Sequence, residues 1–150
     1  MRLSTKGRYA VTAMMDLALH QQRKPVALAD IANCHDISLS YLEQLFAKLR
    51  RARLVEGVRG PGGGYRLARA PHQITVAAII RAVDETVDVT RCRGDENCQE
   101  GERCLTHELW ADLTEALYGF LDGITLQEFV ARPEVRSISQ RQDARVQRVD

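Results

Sequence analysis

The sequence lacks any long apolar run. Its first eight residues, 1–8, are mostly polar or basic and do not contain the hydrophobic segment of a secretory signal. No stretch approaches the roughly 20 consecutive apolar residues that a membrane-spanning helix requires. These two absences predict a soluble, cytoplasmic protein that makes no contact with a membrane.

Enzymatic motifs are also missing. There is no recognisable Ser/His/Asp set, no pair of catalytic carboxylates and no nucleotide-binding motif. The glycines Gly62, Gly63 and Gly64 would suit a phosphate-binding loop, but the Lys-Ser/Thr pair that follows them in such loops is absent. We therefore expect a binding protein and not an enzyme.

A net charge of one sign is the third thing that the chain as a whole lacks. Its 150 residues contain 21 Lys and Arg against 20 Asp and Glu, a net charge of +1. The two halves differ, however, because residues 1–70 carry 12 basic and 5 acidic side chains and residues 71–150 carry 9 basic and 15 acidic ones. Local charges of opposite sign indicate a basic binding module joined to an acidic segment of another role.

The basic half contains the pattern of a winged helix-turn-helix. Apolar residues recur at helical spacing after Ser4 and Thr5, again from 28 to about 35, and strongly over 41–53. Two short β-prone runs then flank the glycines that follow Pro61, which predicts a hairpin. The predicted fold is mainly α with a small β wing, and the DNA-binding domain is predicted to span 1–70.

The acidic half is predicted to hold the sensor and the dimer interface. A connecting helix is expected within 71–90, a polar cysteine loop over 91–107, and a long amphipathic helix followed by a short one over 105–133. The leucines of the long helix could pack against the chain's own head, but we favour packing against a partner chain. Residues 134–150 have little to bury, and we expect them to form a disordered tail.

The third helix and the wing form the predicted DNA-reading surface. A helix that buries one face can lie in the major groove with its N-terminal turn at the base edges, and its basic side chains suit phosphates. The glycine-tipped wing is slim enough to approach a neighbouring minor groove. The predicted contact residues are Ser38, Ser40, Tyr41, Glu43, Gln44, Lys48, Arg51, Arg59, Gly60 and Pro61.

Two interpretations of Glu43 remain open at this point. Glu43 follows Ser40 by three residues, which is the spacing of a capping box at a helix start. In that case its carboxylate would stabilise the helix and never touch DNA. Alternatively, it faces the groove and contributes to base recognition.

Three cysteines and a histidine form a candidate metal site. Cys92, Cys98, Cys104 and His107 have the spacing C-x5-C-x5-C-x2-H, and in a reducing compartment such a set indicates metal or redox chemistry. Three thiolates and an imidazole could hold Zn²⁺ or an iron–sulfur cluster. The long spacings and hydrophilic flanks favour the cluster over structural zinc.

The remaining cysteine and histidines are predicted to have ordinary roles. Cys34 is expected to be a small, half-buried side chain of the second helix. His20, His35 and His72 have no comparable neighbours in the sequence, so we expect surface or packing roles for them.

The motifs resemble those of a known family. Residues 3–10 (LSTKGRYA), 38–46 (SLSYLEQLF) and 58–65 (VRGPGGGY), together with the cysteine spacing, closely resemble the iron–sulfur cluster regulators of the Rrf-type winged helix-turn-helix transcription factors. The likeness runs without a break from Met1 to about Pro133.

This resemblance implies a mechanism. A [2Fe–2S] cluster would be held by Cys92, Cys98, Cys104 and His107, and a homodimer would form through the helix at 105–122. The loaded dimer would bind palindromic promoter DNA and repress the cluster-assembly genes, whose products supply the cluster. The apo dimer would bind a second promoter class, with Glu43 deciding which sites it accepts. The alternatives are a regulator with a structural zinc and a nitric-oxide or thiol redox sensor of the same fold.

Overall fold

The computed structural model describes residues 4–20, 22, 24–85, 87–90 and 92–149. Within these ranges the chain is mainly helical, with one two-stranded antiparallel sheet, as predicted. The elements are α1 (Thr5–His20), α2 (Leu28–His35), α3 (Leu39–Arg51), β1 (Val55–Val58), β2 (Gly64–Leu67), α4 (Val76–Ala82), α5 (His107–Asp122), α6 (Leu126–Val130) and α7 (Pro133–Val149). A short 3-10 turn, Pro71–Gln73, precedes α4. None of the described helices is both long and apolar enough to cross a membrane.

The head is built around the buried faces of α1, α2 and α3. Fully buried side chains from each helix, among them Met14, Ile31 and Phe46, belong to one continuous apolar cluster. Phe46 packs edge-on against Tyr65 of β2 with 4.9 Å between ring centroids, so that the third helix and the wing share a contact. The helix-turn-helix and the wing are therefore positioned by the same core.

The wing is a hairpin that is extended by a third short segment. Strands β1 and β2 pair with Val55 opposite Leu67 and Val58 opposite Gly64. Val26, which precedes α2, exchanges two backbone hydrogen bonds with Tyr65 of β2, at 2.8 and 2.9 Å. This bridge attaches the base of the wing to the start of the helix-turn-helix.

The core of the head extends beyond residue 70. Ile74 and Leu126 are fully buried in the same apolar cluster as the head helices. Around them, Leu126 N–H donates to Ile74 O and Val76 N–H donates to Ile124 O, both at 2.9 Å. These bonds return the chain to the head after α5, so α4 and α6 are packed parts of the head.

The C-terminal segment differs from the prediction of a disordered tail over 134–150. The structure forms helix α7 from Pro133 to Val149, with proline at the first helical position, where its missing N–H costs no hydrogen bond. Asp143 Oδ1 of α7 lies 2.9 Å from His20 Nε2 of α1. The helix is polar overall, and a contact with a residue 123 positions away leaves no periodic signal in the sequence.

Candidate nucleic-acid interface and cysteine site

Helix α3 has one buried and one exposed face. Leu42, Leu45, Phe46 and Leu49 are at most 1% exposed, as the helical spacing predicted. The predicted DNA contacts on the other side of the helix and just before it are exposed, namely Ser38, Ser40, Glu43, Gln44 and Arg51. The structure thus gathers these five side chains on the solvent side of the helix-turn-helix.

Tyr41 is more buried than the other predicted contacts. Its ring is half-buried and meets Tyr9 of α1 edge-on, with 5.9 Å between centroids. An edge-on aromatic pair of this kind is a favourable packing contact. Tyr41 therefore connects the start of α3 to α1 as well as lying beside the exposed face.

The cap of α3 is Ser38, and this removes one interpretation of Glu43. The Ser38 hydroxyl accepts a hydrogen bond from the Tyr41 N–H at 3.4 Å, and the helix begins at Leu39. Ser40 and Glu43 lie inside the helix, so they cannot be the first and last members of a capping box. The capping-box interpretation was wrong, and the exposed Glu43 carboxylate has no part in starting the helix.

Lys48 lies at the far end of this surface and is engaged in an ion pair. Its Nζ is 3.0 Å from Asp84 Oδ2, in the segment that follows α4. The hydrogen bond from Lys48 lowers the pKa of Asp84 below its usual value. A phosphate that binds Lys48 must therefore compete with Asp84.

The tip of the wing needs glycine for steric reasons. Gly60 and Gly62 have φ of +97° and +73°, and a Cβ on Gly63 would lie 2.2 Å from Val58 O. Glycine adopts a positive φ without strain, and because it has no Cβ it also avoids the close contact with the Val58 carbonyl oxygen. The result is a narrow, exposed tip that presents Arg59, Gly60 and Pro61, the three predicted wing contacts.

Sequence reasoning indicated that Arg50 and Arg53 suit phosphates but missed Arg69, which completes a basic concavity beside the wing. Arg50 and Arg53 from the end of α3 meet Arg69 from just after β2 around a shallow depression of about 470 Å³. The three guanidinium groups outnumber the one carboxylate that also lines the depression, that of Glu56, and they suit a phosphate backbone. The signal that could have indicated Arg69 was its position two residues after the second strand of the wing.

The structure brings three of the four predicted metal ligands together. Cys92 Sγ and Cys98 Sγ each lie 3.5 Å from His107 Nδ1, and the three ligand atoms are all within 4.8 Å of one another. Cys92 and His107 are buried, and His107 is the first residue of α5. Cys104 donates its backbone N–H to Cys98 Sγ at 3.0 Å, so it adjoins this set without joining it.

The thiols of the loop differ in the direction in which their surroundings shift the pKa. Burial raises the pKa of the Cys92 thiol, but hydrogen bonds from the Glu96 and Gly94 backbone and from Thr90 outweigh it and bring the pKa to about 7. Burial raises the pKa of Cys98, and a hydrogen bond from Cys98 lowers the pKa of Cys104. Thiolate is the ligand form of cysteine, so Cys92 is partly prepared to bind metal at neutral pH.

The donor set fits a metal centre. With a metal–sulfur bond of about 2.3 Å and a metal–nitrogen bond of about 2.0 Å, a tetrahedral centre separates S and N by about 3.5 Å. Cys92 and Cys98 show this separation from His107 Nδ1. Cys92, Cys98 and His107 could therefore hold a metal ion or part of an iron–sulfur cluster, with Cys104 as the nearest further thiol.

Polar contacts attach the loop to α5. Asp88 Oδ1 accepts hydrogen bonds from the Thr90 N–H and hydroxyl, both at 2.7 Å, and from the Thr114 hydroxyl at 3.3 Å. The Thr114 hydroxyl of α5 also accepts from the Val89 N–H at 2.9 Å. These hydrogen bonds connect the residues just before the loop to α5.

One side of α5 is not covered by any residue that the structure describes. His107 is its only buried residue among those described, whereas Leu109, Trp110 and Phe120 are 59%, 38% and 64% exposed. The other side lies against α4, where Arg81 stacks over the Tyr118 ring 5.0 Å from its centroid. Trp110 and Phe120 were not part of the predicted leucine pattern, although large aromatic residues on an amphipathic helix are a readable signal.

The chain matches known proteins along almost its whole length. The profile of the Rrf2 family, described as an iron-dependent transcriptional regulator, matches residues 3–132. The HTH-type transcriptional regulator IscR of Pectobacterium carotovorum is 58% identical over 148 residues, which is 99% of this chain and 90% of the relative. IscR of Aliivibrio salmonicida is 60% identical over 143 residues, 95% of this chain and 85% of the relative.

Solved structures agree with this similarity. IscR of T. potens superposes with a TM-score of 0.71 at 40% identity over 87% of this chain and 86% of that one. CymR, the global cysteine regulator of B. subtilis, superposes with a TM-score of 0.75 at 36% identity over 87% of this chain and 97% of that one.

Proposed function

The chain belongs to the Rrf2 family of transcriptional regulators, and from this premise we propose that it is a homodimeric sensor of iron–sulfur clusters. With a [2Fe–2S] cluster bound, the dimer represses the genes of cluster assembly. Without it, the dimer binds a second class of promoters. The observation that carries this proposal is the convergence of Cys92, Cys98 and His107 in a chain that also presents a winged helix.

DNA binding follows from the exposed face of α3. The groove-facing set of Ser38, Ser40, Glu43 and Gln44 reads base edges, while Arg51 and the released Lys48 contact phosphates. The wing tip at 59–61 enters the adjacent minor groove. In a two-fold dimer the two α3 helices read half-sites about 34 Å apart, or a multiple of that distance, which matches a palindrome.

The loop forms the sensor. The cluster is held by Cys92, Cys98, Cys104 and His107. The fraction of protein with a filled site then reports how much cluster the cell can make. An imidazole in place of a fourth thiolate removes one negative charge from the site. The cluster is therefore bound less tightly than it would be by four cysteines. The assembly machinery donates the cluster, so its own genes are repressed when supply is sufficient.

Two contacts offer a path from sensor to reader. Asp88 and Thr114 join the loop to α5, and Asp84, four residues before Asp88, holds Lys48 on α3. Ordering the loop around a cluster biases residues 87–90 and, through the chain that links them to Asp84, the availability of Lys48. The cluster in the loop and the DNA at α3 can thus each favour one of two arrangements of the chain between them.

Homodimerisation is supported by the uncovered side of α5. Exposed aromatic and aliphatic side chains on one helix mark an interaction surface, and two-fold symmetry is the commonest way to cover it. We expect Phe120→Asp to convert the dimer to a monomer in sedimentation velocity. Glu115→Gln, a change at an exposed polar residue of the same helix, is the control and leaves the dimer intact. A dimer that survives Phe120→Asp together with Leu109→Asp argues against this interface.

The cluster itself is tested by composition. Protein purified without oxygen is expected to be reddish-brown and to contain iron and acid-labile sulfide in near-equal amounts. Changing Cys92, Cys98 and Cys104 together to alanine removes both and abolishes binding to one promoter class while leaving the other. Cys34→Ala is the matched control and keeps the cluster. Loss of all DNA binding in the triple variant would disprove the apo mode.

A structural zinc is the second candidate, and the loop geometry favours it in one respect. Cys92, Cys98 and His107 lie around one point at the spacing of a single tetrahedral ion. Metal analysis separates the two candidates, because a colourless protein with no sulfide and one tightly bound zinc that is lost when Cys92, Cys98 and Cys104 are changed to alanine supports the second and rejects the first.

A further inference from the structure

A second group of metal-ligating side chains lies in the head, apart from the cysteine loop. Asp16 belongs to the last turns of α1, and Cys34 and His35 end α2. A carboxylate oxygen of Asp16, the Sγ of Cys34 and a ring nitrogen of His35 all lie within 4.8 Å of one another. None of the three belongs to the DNA-reading face or to the sensor loop.

The group is withdrawn from solvent. The side chains of Asp16 and His35 are 10% and 16% exposed, and Asp16 Oδ2 is 2.7 Å from His35 Nε2. Burial raises the pKa of Asp16, but hydrogen bonds from His20 and His35 outweigh it and bring the pKa down to about 2. A largely shielded carboxylate that lies beside two imidazoles and a thiol is an unusual polar cluster for a small head.

We propose that Asp16, Cys34 and His35 form a zinc site. Zinc accepts carboxylate oxygen, thiolate sulfur and imidazole nitrogen in one tetrahedral sphere. Calcium and magnesium favour all-oxygen sites, so the thiol and the imidazole select against them. Three protein ligands leave the fourth position to water, and the thiol proton of Cys34 is released when the metal binds.

His20 and Asp143 supply the outer contacts that such a site needs. His20 Nδ1 lies 3.0 Å from Asp16 Oδ1, and His20 Nε2 lies 2.9 Å from Asp143 Oδ1. A hydrogen-bonded partner of this kind orients a ligating carboxylate. The metal thus ties α1 to α2 directly and reaches α7 through His20, which joins three helices that the apolar core connects only in part.

The test uses the full chain with Cys92, Cys98 and Cys104 changed to alanine, so that the loop cannot bind metal. Titrated with zinc chloride against a chromophoric chelator under reducing, oxygen-free conditions, this chain is expected to bind one equivalent of zinc. Adding Cys34→Ser or His35→Gln should reduce the bound zinc to near zero. His72→Gln changes an exposed histidine outside the group and should leave one equivalent bound.

Two further measurements keep the proposal falsifiable. His20→Gln should weaken zinc binding roughly 10- to 100-fold without changing the stoichiometry, because it removes an outer contact only. Cobalt added to the triple-alanine chain should give a thiolate-to-cobalt charge-transfer band. This measurement requires no substitution of Asp16, Cys34 or His35. The absence of that band, or zinc binding that persists in both Cys34→Ser and His35→Gln, overturns the proposal.

Discussion

The basic head and the cysteine loop are stabilised in different ways. The head buries a continuous apolar cluster that joins α1, α3, the wing and α6. The loop is shaped by polar contacts such as those of Asp88 and of Arg103, which pairs with Glu96 and Glu108. An apolar core resists change, whereas a loop with few buried contacts opens at low free-energy cost. The head is therefore the more rigid part, and the loop is the part that a ligand could reorganise.

Backbone conformation sharpens this contrast. Of the six non-glycine residues with positive φ in the described chain, three lie in the loop: Arg93, Glu96 and Glu100. Each left-handed L-residue costs about 1–2 kcal/mol relative to its usual conformation. The loop conformation thus depends on hydrogen bonds, and on any bound ligand, to offset this cost.

The largest expected effect concerns the core of the head. Phe46 is fully buried and contacts Tyr65 of the wing, so Phe46→Ala removes packing from both. We expect a loss of about 3–5 kcal/mol in the free energy of unfolding, measured by urea denaturation of the apo protein. A loss below 1 kcal/mol would mean that the head is not stabilised by a tightly packed apolar core and so does not differ from the loop in this way.

A change at the reading surface should alter specificity and leave stability almost unchanged. Because Glu43 is exposed and has no capping role, Glu43→Ala is expected to shift the discrimination between the two promoter classes by about 1–3 kcal/mol. The measurement is the affinity of the wild type and the variant for one DNA duplex from each promoter class, determined by fluorescence anisotropy. Arg51→Ala is the comparison variant, since a lost phosphate contact weakens both classes alike.

The cap of α3 predicts a smaller change in stability. Ser38→Ala removes the acceptor of the Tyr41 N–H and should cost about 1 kcal/mol. Ser40→Ala is the matched control, because Ser40 is exposed inside the helix and its loss should cost less than about 0.5 kcal/mol. Thermal unfolding of the two variants separates them, and the reverse order would restore Ser40 as the cap.

The ion pair between Lys48 and Asp84 predicts a modest gain in DNA binding when it is removed. Asp84→Asn removes the acidic partner of Lys48 and frees it for phosphate. We expect the dependence of log affinity on log salt to steepen by about 0.9, the contribution of one added phosphate contact. Since exposed ion pairs contribute about 0–1 kcal/mol, stability should hardly change. An unchanged salt dependence would remove Lys48 from the interface.

The smallest expected effect is in the loop. Cys104→Ala in the apo protein should change the free energy of unfolding by less than about 0.5 kcal/mol, because the side chain supports no core. The same change should prevent normal cluster loading, which iron and sulfide analysis measures. A large loss of stability in the apo protein would mean that the loop, like the head, contributes to the folded core.

Much of the fold could be predicted from spacing alone. The apolar positions Leu42, Leu45 and Leu49 indicated which side of α3 is buried, and Gly60–Gly64 indicated the wing turn. The cap of α3 was not identified, because the spacing of Ser40 and Glu43 resembles a capping box whereas the structure caps the helix with Ser38. Helix α7 was missed because its polar composition resembles a tail, and its contact with α1 is distant in sequence.

The sequence by itself determined the local patterns: the helical period, the glycine turn and the C-x5-C-x5-C-x2-H spacing of the candidate ligands. Only the tertiary structure decided how these residues meet. It placed Cys104 beside the compact ligand set, paired Lys48 with Asp84, and brought His35 next to Asp16. The physical reason is that a periodic pattern specifies a face of one element, whereas contacts between distant segments depend on how all the elements pack into one core.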